Sequence, residues 1–117
     1  MLHLLIIHQI IDIDRKLKVR ITEDSKELAM NKMMSNLSSL RTMLHLTQTQ
    51  FANIIGVSRQ TLVSFENGKR HISWSTYLML VFIFDNNEIT KPMLEVLGVF
   101  PREFRDFFKK SRLAHGS

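Results

Sequence analysis

Arg59 and Gln60 are adjacent side chains suited to planar hydrogen-bonding edges. A guanidinium can donate two parallel hydrogen bonds to guanine, and a glutamine amide can pair bidentately with adenine. Val63 offers methyl groups suited to a thymine methyl, and Ser64 and Asn67 add short polar groups at helical spacing. Lys69 and Arg70 follow Gly68, two cations able to bind phosphate or to complement the C-terminal dipole of a helix. The hydroxyls of Thr49, Ser58 and Thr61 can serve a nucleic-acid backbone or act locally as caps.

Side chains of this kind read bases only when a helix presents them, and the surrounding sequence supplies one. Thr47 with Gln50 three residues on is a capping box, and Ser58 can cap a second helix. Gly56 suits the left-handed position that ends the first helix. Leu46 and Phe51 make a hydrophobic staple for the first helix, and Val57 and Leu62 make one for the second. Two capped and stapled helices joined through a glycine turn make a helix-turn-helix, the unit that lays its second helix in the major groove. On a helical wheel Leu62 and Phe65 face inward, and Arg59, Gln60, Val63, Ser64 and Asn67 face away. Arg59 and Gln60 fall at the N-terminal end, the end that points at base edges.

Counted from Gln48, the small residue Ala52 falls at the fifth position and Gly56 at the ninth. Leu62 and Phe65 fall at the fifteenth and eighteenth. This pattern resembles the lambda-repressor/Cro-like helix-turn-helix family. The resemblance extends outward to Leu40-Arg41 and to Glu66-Asn67-Gly68-Lys69, covering roughly residues 35 to 84. It implies a mainly α, lambda-repressor-like helical bundle, in which Arg59, Gln60 and Ser64 read bases and Gln48 holds a backbone phosphate. It also implies a buried ion pair between Arg41 and Glu66 that ties the first helix to the end of the recognition helix. The candidate DNA-binding set is therefore Gln48, Ser58, Arg59, Gln60, Thr61, Ser64, Asn67, Lys69 and Arg70, with Arg41 and Glu66 as the structural ion pair. His45 departs from the family, many members of which carry glycine between the first two helices.

Charge is distributed as this reading needs. The net charge is +5, and residues 35–84 hold Arg41, Arg59, Lys69 and Arg70 against Glu66 alone, giving +3. The segments 1–34 and 85–117 each carry six basic and five acidic residues, +1 apiece. The positive excess sits on the motif, as binding to a polyanion requires. The 117 residues suffice for one small domain. Cysteine is absent, so disulfides and thiolate metal sites are excluded, and the chain is compatible with a reducing cytoplasm. The eleven-residue apolar run MLHLLIIHQII is too short to span a bilayer and lacks the features of a secretory signal, which points to a cytoplasmic protein.

Three segments follow: an N-terminal extension, 1–34; the DNA-binding unit, 35–84; and C-terminal helices, 85–117, as a place for dimerisation. In the extension, Leu4 to Ile13 is β-branched-rich and KLKVRIT, 16–22, alternates basic and apolar, so a β-hairpin is expected. A helix should begin near Asp24, where Asp24 and Glu27 resemble a capping box, and Ser35, Ser38 and Ser39 leave open whether it breaks near 35. Past the motif, Ser73 caps a helix carrying the apolar run YLMLVFIF, 77–84. Another helix spans about 90–97 and ends at Gly98, and a last one starts from Pro101. The run 77–84 is apolar around its circumference and needs cover from several sides. Met93, Leu94, Val96, Leu97, Phe100, Phe104, Phe107 and Phe108 can supply it, within one chain or across a dimer.

The five histidines do not share metal-ligand spacing, Asp12 and Asp14 lack the other oxygens of a calcium loop, and no phosphate cradle or nucleophile elbow is present. No enzyme, cofactor, metal or membrane association is expected. The leading expectation is a sequence-specific double-stranded DNA-binding transcriptional regulator acting as a homodimer. The alternatives are an antitoxin that represses its own operon and masks a toxin partner, and a protein-interaction adaptor that keeps the fold without binding DNA.

Overall fold

A computed structural model describes residues 4–6 and 21–116, and all its regular elements within them are helical. The six labelled helices are α1 (Glu23–Met43), α2 (Gln48–Ile55), α3 (Arg59–Glu66), α4 (Trp74–Asp85), α5 (Lys91–Val96) and α6 (Arg102–Gly116). The mainly α fold class stands. α1 packs on α3 and α4, α2 packs on α3, and α5 packs on α4.

α1 is a single helix of 21 residues that runs unbroken across residue 35. Its serines do not interrupt it, because they face solvent and the Ser35 hydroxyl donates back to the Asn31 carbonyl at 3.0 Å. Its stripe Ala29, Met33, Leu37 and Leu40 is buried, at spacings of three and four that keep one face inward. The helix starts earlier than Asp24. Thr22 has the extended backbone of a cap (φ −88°, ψ 169°), and its side-chain oxygen accepts from the Ser25 amide at 3.1 Å. Glu23 and Asp24 then occupy the first turn, where the helix dipole favours acids.

The expected N-terminal hairpin requires correction where it is described. Residues 4–6, placed in its first strand, are helical, and Ile21, placed in its second, lies in a turn next to the cap. The rest of that hairpin lies outside the described residues. A short apolar run has no periodicity to separate strand from helix, and β-branched content is a weak guide.

The run 77–84 finds most of its cover within the chain. Tyr77, Leu80, Val81 and Phe84 of α4 are buried with Leu94, Val99, Phe100 and Phe104, which follow from α5 onward. Two buried hydroxyls fasten the same region: Tyr77 donates to the Val99 carbonyl at 2.6 Å, and Thr90 donates to the Phe84 carbonyl at 2.7 Å. Burial raises the Tyr77 phenol above its ordinary value of 10.0. Arg105 of α6 binds Asp85 at the end of α4 through two hydrogen bonds of 2.7 and 3.2 Å and lies 4.8 Å from the Phe100 ring centre. The apolar content of the C-terminal part thus mostly closes the chain's own core. Phe82, 68 % exposed, is the large apolar residue of α4 left outside it.

Candidate nucleic-acid interface

Short-range chemistry fixes the two helices that carry the site. Thr47 and Gln50 form the reciprocal capping box, with the Gln50 amide donating to the Thr47 hydroxyl at 3.1 Å and the Thr47 amide donating to Gln50 Oε1 at 2.9 Å. That leaves the first-turn amides of Gln48 and Thr49 for an acceptor outside the helix. Gly56 ends α2 with φ +76°, and the Val57 amide reaches back to the Ala52 carbonyl at 3.0 Å. A left-handed backbone here is cheap only for glycine. Ser58 caps α3 by accepting from the Thr61 amide at 3.0 Å.

The turn from α1 to α2 has the same construction with a different residue. The His45 amide bonds the Thr42 carbonyl at 2.9 Å, and the Leu46 amide bonds the Arg41 carbonyl at 3.4 Å. These two bonds define a Schellman turn. His45 stands at φ +56°, the single non-glycine residue with positive φ among those described. The departure from glycine is thus accommodated by strain and not by a changed turn.

On α3, Leu62 and Phe65 are buried, while Arg59, Gln60 and Asn67 are exposed and Val63 and Ser64 are half-buried. Lys69 and Arg70 are exposed beyond its end. The Arg70 guanidinium folds back along the helix, 3.4 Å from the Thr61 hydroxyl and 5.9 Å from the centre of the Phe65 ring. Three of the candidates, Ser58, Thr61 and Asn67, have local employment. The Ser58 hydroxyl donates to Thr61 Oγ1 at 2.9 Å, and Asn67 Oδ1 accepts from the Lys69 amide at 3.0 Å.

Behind this face lies a four-residue polar chain. Arg41 Nε donates to Glu66 Oε2 at 2.7 Å and its NH2 group donates to Oε1 at 3.2 Å. The side chains are 13 % and 7 % exposed. A third Arg41 donor reaches the Leu46 carbonyl at 2.9 Å, so one guanidinium joins α1, the turn and the end of α3. Gln48 Nε2 then donates to Glu66 Oε1 at 3.1 Å, and Arg59 NH2 donates to Gln48 Oε1 at 3.1 Å. The links from Gln48 to Glu66 and Arg59 span 18 and 11 residues, separations that leave no periodic trace in a sequence.

The electrostatic result follows from the pairing. Glu66 is the one acid in 35–84, and Arg41 neutralises it below the surface. Within 35–84 the exposed charges are therefore those of Arg59, Lys69 and Arg70, all of one sign.

Residues 37–76 match the family model described as helix-turn-helix. This part of the chain is a DNA-binding helix-turn-helix domain. The match agrees with the resemblance of residues 35–84 to the lambda-repressor/Cro type. No match was found among curated proteins or among solved structures. No helix among the described residues is long and apolar enough to cross a membrane.

Proposed function

We propose that the chain is a sequence-specific, double-stranded DNA-binding regulator of transcription that inserts α3 into the major groove. The observation that carries this reading is the exposed Arg59-Gln60 pair at the N-terminus of α3, flanked by cations and free of any exposed acid within 35–84. Arg59 and Gln60 contact base edges, with Val63 and Ser64 beside them at the groove surface. Gln48, with the first-turn amides of α2, holds a phosphate, and Lys69 and Arg70 hold others. The hydroxyls of Ser58 and Thr61 and the Asn67 amide serve first as local caps and second as backbone contacts. An adaptor that kept only the fold would have no need of an exposed basic face, which disfavours that reading.

One recognition helix offers few base contacts, so the protein acts as a two-fold homodimer on half-sites about 34–36 Å apart, one turn of DNA. Phe82 supports this, standing exposed on α4 one turn from half-buried Leu78 and Met79. In the cell the protein works in the cytoplasm.

Selection of a binding site from random duplexes tests the reading. Arg59→Ala is expected to lose discrimination at one or two base pairs per half-site, at a cost of about 1–3 kcal/mol. Lys69→Ala should weaken all sequences alike and reduce the salt dependence. An unchanged selected site in Arg59→Ala would overturn the contact assignment. Sedimentation tests the dimer: the intact chain should be dimeric at micromolar concentration and Phe82→Asp monomeric. An intact monomer that still binds a single half-site tightly would refute it.

A further inference from the structure

We infer that Glu66 has a second task besides its ion pair: it is a positioning residue for base readout, acting on Arg59 through the side-chain amide of Gln48. The inference rests on Arg59 being a base-contacting residue.

What each group can offer fixes the arrangement. A carboxylate only accepts hydrogen bonds, so a side-chain amide meeting it must present its nitrogen. Gln48 does this, with Nε2 3.1 Å from Glu66 Oε1. The opposite orientation would set two oxygens against each other at that distance. With the nitrogen turned inward, Gln48 Oε1 must face the other way, and there it accepts from Arg59 NH2 at 3.1 Å. A guanidinium has donors only, so a flipped Gln48 amide would oppose it with a second donor. Glu66 and Arg59 therefore require the same orientation of the amide, and a donor in place of the carboxylate would oppose it.

The contact restrains Arg59 without using it up. One of its five N–H donors goes to Gln48, leaving the others for the planar edge of a base. Long, exposed arginines lose rotamer freedom on docking, and here part of that loss has already occurred in the free protein. Glu66 is itself buried in an ion pair with Arg41, which a lysine could still make, so the restraint runs from a buried carboxylate to an exposed reader. Gln48 also stands at the first position of α2, so a phosphate held there locks the same amide. Register on the backbone and aim of the reader are thereby set by one side chain.

Glu66→Gln should break the relay. With its oxygen kept on Arg41, the new amide turns a nitrogen toward Gln48, which must flip and release Arg59. The test first uses Arg59→Ala to find the base pair whose preference depends on Arg59. The ratio of affinities for the preferred base over the others at that pair is then measured in Glu66→Gln, Gln48→Met and Arg41→Lys. The ratio should fall roughly three- to tenfold in Glu66→Gln and Gln48→Met, a fraction of what the full bidentate contact supplies. Arg41→Lys loses the fork and hence thermal stability, but it leaves Glu66 a carboxylate, and its ratio should hold. Gln48→Met leaves the ion pair intact and decides the matter if Glu66→Gln does not fold. Loss of its phosphate contact lowers affinity for all sequences and cancels in the ratio. Ratios within twofold of the parent in every variant that folds would overturn the inference while leaving Arg59 as a base reader. An equal fall in Arg41→Lys would also overturn it, by making the effect a general loosening. If Arg59→Ala itself changed no preference, the base-contact reading would fail first.

Discussion

The helix-turn-helix part of this chain, α2 and α3, and the supporting part, α4 to α6, are held together by different physics. The first is organised by polar links: two caps, a capping box and the chain Arg41–Glu66–Gln48–Arg59. The second is organised by apolar area, with buried Tyr77, Leu80, Phe84, Leu94, Val99 and Phe104 and two buried hydroxyl bonds. Polar links fix direction, because each needs a particular distance and angle, while burial supplies free energy without direction. A surface that must aim side chains at a ligand needs the former. A scaffold that must only stay closed can rely on the latter.

Breaking each part should therefore abolish a different property. The largest effect is expected from a chain ending at Asn87, which strips Leu94, Val99, Phe100 and Phe104 from α4. It should lose cooperative thermal unfolding altogether, as followed by circular dichroism. A sharp transition near that of the intact protein would show that the second part is not needed to close the core.

Next are Arg41→Ala and Glu66→Ala, each of which strands a buried charge and should cost about 3–5 kcal/mol in denaturant titrations. Stabilities equal to the parent would mean that the pair contributes aim alone. Tyr77→Phe comes third, leaving the Val99 carbonyl without its donor at a cost of about 1–3 kcal/mol. Tyr77 also carries a pH signature. Its phenol is raised in the folded state, so the stability it contributes is present below the unfolded value of 10.0 and is lost as pH rises further. The parent should weaken above pH 10.0, and Tyr77→Phe should weaken less steeply there.

The smallest expected effect is a gain. His45→Gly relieves a left-handed backbone at φ +56° and should stabilise the protein by about 1 kcal/mol without altering the selected DNA site. A loss of stability would indicate that the imidazole makes a contact that outweighs the strain.

The same contrast governs what a reader of the sequence could see. Caps, staples and the glycine turn act over three to five residues, so Thr47, Gln50, Gly56 and Ser58 announce α2 and α3 directly. The wheel correctly separates Leu62 and Phe65 from Arg59 and Gln60, because a helix face is a local property. Family resemblance supplied the ion-pair expectation, and composition alone would not have. The contact of Gln48 with Glu66 was not legible, since it depends on how three helices converge. Nor was the pairing of Tyr77 with Val99, or of Arg105 with Asp85, both twenty or more residues apart. The apolar run 77–84 left core and interface undivided, because burial by one's own chain and by another require the same residues. Thr22 does not stand out as the cap in the sequence, because Asp24 offers a competing one within the same turn.

Trp74 gives the molecule an optical property that its architecture makes useful. It is the one tryptophan in the chain, at the head of α4. Its ring stacks on Tyr77 at 5.0 Å, meets the edge of Phe104 at 6.1 Å and has the Lys26 ammonium 5.0 Å from its centre. Three helices thus meet at a single fluorophore, and a nearby cation shifts the energy of its excited state. Separation of α1 or α6 from α4 would change the colour of its emission, so the protein carries an intrinsic gauge of how its helices are docked.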